Sequence, residues 1–120
     1  DALTPTQAIN CPIFAKAWAN ISSSLAYNAT GSLTIDSNYN IATASVTGQG
    51  VVAFTFSDNL PSGNFVVIGS ANYGDGTTVT KDSRYAVSNE SASGFTLTFN
   101  EVDDSTLTTP MTIRIAIFGT

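Results

Sequence analysis

The sequence contains no histidine and a single cysteine, Cys11. Without histidine, the usual general base at neutral pH is missing, and Cys11 cannot belong to a Cys–His catalytic pair or a Cys/His metal cluster. A lone cysteine also cannot form an intrachain disulfide, so we interpret Cys11 as a small apolar residue. We therefore expect a protein that is not an enzyme, with no cofactor and no metal site.

Charged residues are also scarce, and most of them are acidic. Four Lys and Arg stand against nine Asp and Glu, which gives a net charge of −5, and charged residues make up 11% of the chain. A negative net charge disfavours binding to nucleic acid or to an anionic membrane surface. No stretch reaches the roughly 18 apolar residues of a membrane span. We expect no nucleic-acid partner and no membrane insertion.

What the sequence does contain is short stretches in which apolar and polar residues alternate. The clearest is residues 48–71, where Val52, Phe54 and Phe56 recur at every second position. This period is typical of a half-buried strand. Turn-forming residues follow at 58–64, and then an unbroken apolar run at 65–68 predicts a strand that is covered on both faces. The stretch thus predicts two core strands and the turn between them.

The same pattern recurs along the rest of the chain. It predicts further strands at 14–21, 32–36, 41–47, 84–88, 94–100 and 111–117, with a turn at 37–40 and loops at 22–31, 71–82 and 101–105. About eight strands without a sustained helical period predict an all-β fold, an antiparallel β-sandwich with jelly-roll-like packing.

We expect one domain, residues 14–120. Residues 1–13 are polar and contain Pro5 and Pro12, which predicts an extended arm or the end of a linker. The sequence does not begin with methionine, and we expect it to be a piece of a longer protein or a processed product.

Four segments follow one another in a characteristic order. They are Lys16-Ala17-Trp18-Ala19-Asn20, then Ser37-Asn38-Tyr39-Asn40-Ile41, then Gly48 and Gly50 ahead of Phe54-Thr55-Phe56, and finally Leu60-Pro61 followed by Asn64-Phe65-Val66-Val67. In this order they resemble successive motifs of a C-terminal β domain in tail fibres and related virion appendages of tailed bacteriophages. The resemblance implies a non-enzymatic virion structural domain, commonly trimeric, on the outside of the particle.

Three functions are compatible with these observations. In the first, the chain is the receptor-binding tip of a tail fibre, which contacts a polysaccharide or protein of the bacterial surface. In the second, it is a capsid fibre, knob or decoration module that binds other virion subunits. In the third, it is a carbohydrate-binding module of a secreted protein, a class that shares the composition but not the order of the motifs.

The candidate receptor-binding residues lie in and beside the turn-rich segment 71–82. An aromatic ring packs under the C–H groups of a sugar, and planar polar side chains bind its hydroxyls. The candidates are Asn72, Tyr73, Asp75, Lys81, Asp82 and Arg84, with Tyr27 in the loop 22–31 as a second location. The alternative is an ordinary hairpin loop in which Tyr73 packs at the end of the sheet.

Phe14, Trp18 and Phe118 are the candidate subunit-interface residues. The strand at 14–21 has alanines on one face and larger side chains on the other, and apolar residues on both faces of a terminal strand indicate contact with another chain. Together with the resemblance, this predicts a homotrimer. For Trp18, the alternatives are a place in the core and a role as a ligand platform.

Overall fold

The computed structural model describes residues 14–22, 29–74, 79–101 and 112–119, with the backbone alone at 73, 74, 79–83 and 101. These residues contain nine strands. The strands are β1 (Ala17–Ser22), β2 (Gly31–Ser32), β3 (Thr34–Tyr39), β4 (Ile41–Gly48), β5 (Val51–Phe56), β6 (Phe65–Gly74), β7 (Val79–Ser91), β8 (Gly94–Glu101) and β9 (Thr112–Gly119). No helix occurs within these ranges, so none there could span a membrane. The predicted arm, residues 1–13, lies outside the described residues.

The strands form two antiparallel layers. Their order is β2-β4-β5-β8-β7 in the first layer and β6-β9-β1-β3 in the second, and the layers are joined where β6 pairs with β7 from Ala71 to Gly74. At the other end of β6, the layers face each other. The ring of Phe65 packs against the rings of Phe56 and Phe95 of the opposite layer, with 5.7 Å between the ring centroids in each pair. The predicted all-β sandwich is thus confirmed, with nine described strands instead of about eight.

The connectivity of the strands contains Greek keys. Strands β5 to β8 appear in the order 5-8-7-6, and β6 to β9 in the order 8-7-6-9. In each set the strands β6, β7 and β8 are connected by hairpins, and a fourth strand lies at one end, β5 beside β8 or β9 beside β6; this arrangement is a Greek key. The two Greek keys overlap, because both contain β6, β7 and β8.

The core lies between the two layers and follows the alternation of the sequence. The inward residues of three strands are all buried: Val52, Phe54 and Phe56 in β5, Phe95, Leu97 and Phe99 in β8, and Ile113, Ile115 and Ile117 in β9. The rings of Phe54 and Phe95 stack at 4.9 Å. Burying each of these side chains contributes about 1.5–3 kcal/mol. The faces predicted for these strands are confirmed.

The prediction that residues 65–68 are covered on both faces is wrong. Phe65 and Val67 pack on the core, but Val66 and Ile68 are 57% and 58% exposed. β5 and β6 also belong to different layers, so the apolar run of β6 pairs with β9 and not with β5. Within the described ranges, only the inward face of β6 is covered.

Two connections predicted from the sequence are also wrong, because strands extend into both segments. The segment 37–40 was predicted as a turn, yet β3 continues to Tyr39, which pairs with Trp18 of β1. The loop predicted at 71–82 is largely a hairpin, because β6 runs to Gly74 and β7 begins at Val79. Backbone ladders satisfy the N–H and C=O groups of polar segments as well as those of apolar ones.

Asn40 connects β3 to β4 and links three parts of the chain. Its φ of 59° lies in the left-handed region, which asparagine tolerates better than most residues. Its carboxamide nitrogen donates to the backbone oxygens of Lys16, at 3.2 Å, and Asp58, at 3.1 Å. The backbone N–H of Asp58 donates to the Asn40 Oδ1 at 2.7 Å. One buried side chain therefore fixes the approach to β1 and the segment after β5.

Candidate functional site

The structure describes the side chains of only some candidate receptor-binding residues. Asn72 lies on the outward face of β6, where its Oδ1 accepts a hydrogen bond from Thr112 Oγ1 at 3.3 Å. Arg84 is exposed on β7. The backbone register places Lys81 and Asp82 opposite Tyr73 and Asn72 in the β6–β7 hairpin. For Tyr73, Lys81 and Asp82 the backbone alone is described, and Asp75 and Tyr27 lie outside the described residues.

The candidate interface residues are described, and none of them belongs to the core. Phe14, just ahead of β1, is 45% exposed and Trp18 is 41% exposed, while Phe118 is half-buried. Trp18 and Phe118 share the outward face of the layer β6-β9-β1-β3, because the neighbours of each along its strand, Ala17, Ala19 and Ile117, point into the core. The alternative of a core position for Trp18 is excluded.

An open groove of about 600 Å³ runs over this outward face, and we call it the outward groove. The strand register aligns Trp18 of β1, Ala116 of β9 and Ile68 of β6 in one row across the sheet. A small residue between two large ones makes a trough, with Ala116 at its floor and the larger side chains as its walls. Phe118 and Val66 form the next row on one side.

Polar side chains form the row on the other side of the outward groove. Asn20, Arg114 and Ser70 are aligned across β1, β9 and β6, and Ser37 of β3 lies opposite Asn20. All of them line the groove. No hydrogen bond or ion pair joins the guanidinium of Arg114 or the carboxamide of Asn20 to the side chain of another described residue.

A third row extends the polar surface. It contains Ser22, Thr112 and Asn72 in register across the same three strands. Ser22 Oγ donates to the carboxylate of Asp36 at 2.5 Å, so this acidic group of β3 is held by a hydroxyl. Asn72, which the sequence indicated as a candidate, is therefore continuous with the groove, two residues beyond Ser70 on β6.

Sequence reasoning missed most residues of the outward groove, including Asn20, Ile68 and Arg114. The available signal was the outward alternation of two strands, Trp18 followed by Asn20 and Arg114 followed by Ala116. These pairs become neighbours only through the register of β1 with β9. A sequence pattern identifies which residues point outward but not which outward residues meet.

The side chains in the outward groove could bind a ligand that has both apolar and polar groups. An aromatic ring offers a flat apolar face, a guanidinium offers a planar set of donors for an anion, and a carboxamide both donates and accepts. Among the described side chains, no three His, Cys, Asp or Glu residues lie together as a metal site would require. Comparison of the chain with protein-family models, with curated proteins and with solved structures gave no match.

Proposed function

We propose that this chain is a non-enzymatic structural domain of a bacteriophage virion and forms the receptor-binding tip of a tail fibre, where it contacts the bacterial cell surface. The observation that carries the proposal is the outward face of the layer β6-β9-β1-β3, on which Trp18, Val66 and Ile68 are exposed. The inward faces of the same strands already supply the core. A contiguous apolar surface that the core does not need is typical of contact with another molecule.

The location on the virion follows from the resemblance of the four motifs, and the homotrimer is part of the same proposal. Single open sites bind weakly, and three copies held together raise the strength of attachment without any new contact. Of the three candidate interface residues, we assign Phe14 and Phe118 to the contact between subunits and Trp18 to the outward groove.

The proposal is tested by measuring binding of the fluorescently labelled domain to cells of the bacterium that the parent phage infects. We expect saturable binding and competition with phage adsorption. Ile68→Asp places a charge on the exposed apolar face and should abolish binding. Ser88→Asp is the matched control, because it adds the same charge at an exposed position on β7, in the other layer.

Unchanged melting temperatures in both variants would show that the effect lies in binding and not in folding. Equal binding of the two variants to cells would contradict the placement of the receptor contact on this face. Absence of cell binding by the unmodified domain would contradict the proposed function itself.

A second function, a capsid fibre, knob or decoration module that binds other virion subunits, is favoured by one feature of the same face. Val66 and Ile68 are aliphatic and adjacent on the outward side of β6, and the buried centre of a protein–protein interface is more apolar than the rest of the surface. Binding of the domain to particles that lack it, without binding to cells, would support this function.

A further inference from the structure

We infer that the outward groove binds an acidic saccharide, with a sugar ring packed on Trp18 and the carboxylate of the sugar held by Arg114. This inference rests on the proposed function, because it names the chemical class of the receptor that the fibre tip would contact. It places the contact on a sheet face, next to the start of the β6–β7 hairpin in which the sequence indicated a site.

The shape of the groove suits a chain-like ligand. Trp18 and Ile68 rise on either side of Ala116, and the trough stays open to the solvent along its length. Its volume, about 600 Å³, lies within the range of small-molecule sites. An open trough admits an internal unit of a polymer, whereas a closed pocket accepts only an end.

Trp18 provides the flat surface that a sugar ring requires. Its side chain is exposed on β1 and lies across Ala116 from Ile68. The face of an indole carries partial negative charge, which attracts the weakly positive C–H groups of a sugar ring. Because Ala116 is small, the neighbour of Trp18 on β9 leaves space beside the indole, which is 41% exposed.

Arg114 selects for an anion. It is one of four basic residues in a chain with a net charge of −5. The protein as a whole therefore repels a polyanion, and the attraction has to come from a local group. The guanidinium has no acidic partner among the described residues, and its planar fork matches a carboxylate with two parallel hydrogen bonds.

The remaining groups are placed for sugar hydroxyls. Asn20, Ser37 and Ser70 flank Arg114 in the same row. Residues two apart on a strand are separated by roughly 6.5 Å, so the row of Arg114 lies about one sugar unit from the row of Trp18. A carboxylate on the bound unit or on the adjacent one would then reach the guanidinium.

The single tryptophan of the chain allows binding to be measured at the site itself. Four carboxylated probes would be titrated while tryptophan emission is recorded: oligogalacturonate, alginate oligomers, hyaluronan oligosaccharides and a sialylated oligosaccharide. Each has a control in which its carboxyl groups are reduced to alcohols. We expect at least one probe to change the emission saturably and its reduced form to bind at least tenfold more weakly.

Variants assign the interaction to the groove. Arg114→Gln should weaken binding of that probe at least tenfold, and Arg114→Lys should weaken it less, because charge is kept while the fork is lost. Ser88→Glu lowers the net charge by the same single unit on the other layer and should bind as the unmodified protein does. Equal losses in Arg114→Gln and Ser88→Glu would overturn the inference, since the effect would then be one of total charge.

Trp18→Ala, with Trp18→Phe as the milder variant, should remove or weaken binding in isothermal calorimetry and leave the oligomeric state unchanged in sedimentation. Dissociation of the oligomer by these variants would overturn the inference in favour of a subunit contact at Trp18. No binding to any of the four probes would also overturn it.

The proposed function and the saccharide inference can fail separately. Cell binding that persists in both Arg114→Gln and Trp18→Ala would overturn the inference while the receptor-binding function stands. Saccharide binding by a domain that does not attach to cells would support the inference and contradict the function.

Discussion

Replacing Asn40 by glycine and by alanine tests how the segments around the sandwich are held together. Asn40 is buried, and its side chain makes hydrogen bonds to the backbone of Lys16 and to both backbone groups of Asp58. Each such bond contributes about 0.5–1.5 kcal/mol, and a partner left buried without a bond adds to the loss. Asn40→Gly removes the bonds without straining the backbone, so it should destabilise the protein by about 2–4 kcal/mol.

Asn40→Ala should be worse than Asn40→Gly by about 1–2 kcal/mol, because a residue with a Cβ atom is forced into the left-handed region. Asn89 supplies the matched control. Its φ is 53°, but it is exposed, and among the described residues its side chain makes one long hydrogen bond, 3.4 Å to Thr96 Oγ1. Asn89→Gly should therefore change stability by less than about 0.5 kcal/mol, whereas Asn89→Ala should show the same backbone penalty of about 1–2 kcal/mol.

Urea denaturation at one fixed protein concentration measures these differences, since association would shift the apparent stability if the concentration varied. The four variants separate the two effects: glycine at each position reports the side-chain bonds, and alanine relative to glycine reports the backbone. A stability of Asn40→Gly equal to that of the unmodified protein would refute the role of the side chain. Equal stability of Asn40→Gly and Asn40→Ala would refute the backbone argument.

Three further predictions concern the core, a close backbone contact and the assembly. Phe54→Ala should cost about 3–5 kcal/mol because it leaves a cavity beside Phe95, whereas Thr55→Ala, on the exposed face, should cost less than about 1 kcal/mol; equal losses on denaturation would contradict the assigned faces. Gly94→Ala should destabilise by at least about 1–3 kcal/mol, since an added Cβ would lie 2.1 Å from the Phe54 backbone oxygen, but Gly48→Ala, with open space around it, should be tolerated in the same thermal melts. The domain should sediment as a trimer at tens of micromolar, and a clean monomer would rule out the trimer for the isolated chain.

The parts of the fold that could be predicted were those in which one face of a strand differs from the other. Phe95, Leu97 and Phe99 alternate with threonines, and the structure buries all three. The buried face of the strand at 65–68 could not be predicted, because Phe65, Val66, Val67 and Ile68 are all apolar and the pattern contains no contrast between the two faces. The hairpin of β6 and β7 was predicted as a loop because its polar residues resemble a turn, although backbone pairing between the strands decides the structure.

The sequence by itself determined the fold class, the core faces of the strands in which apolar and polar residues alternate, and the shortage of catalytic groups, because composition and the period of two are properties of neighbouring residues. Only the tertiary structure decided which outward residues lie together. Trp18 and Arg114 stand near opposite ends of the chain, and they line one groove because β1 pairs with β9 in a particular register. That register results from the packing of two whole layers, and a shift of one residue would turn Trp18 inward and the buried alanines outward. A site built across strands is therefore a property of the assembled sheet and not of any single segment.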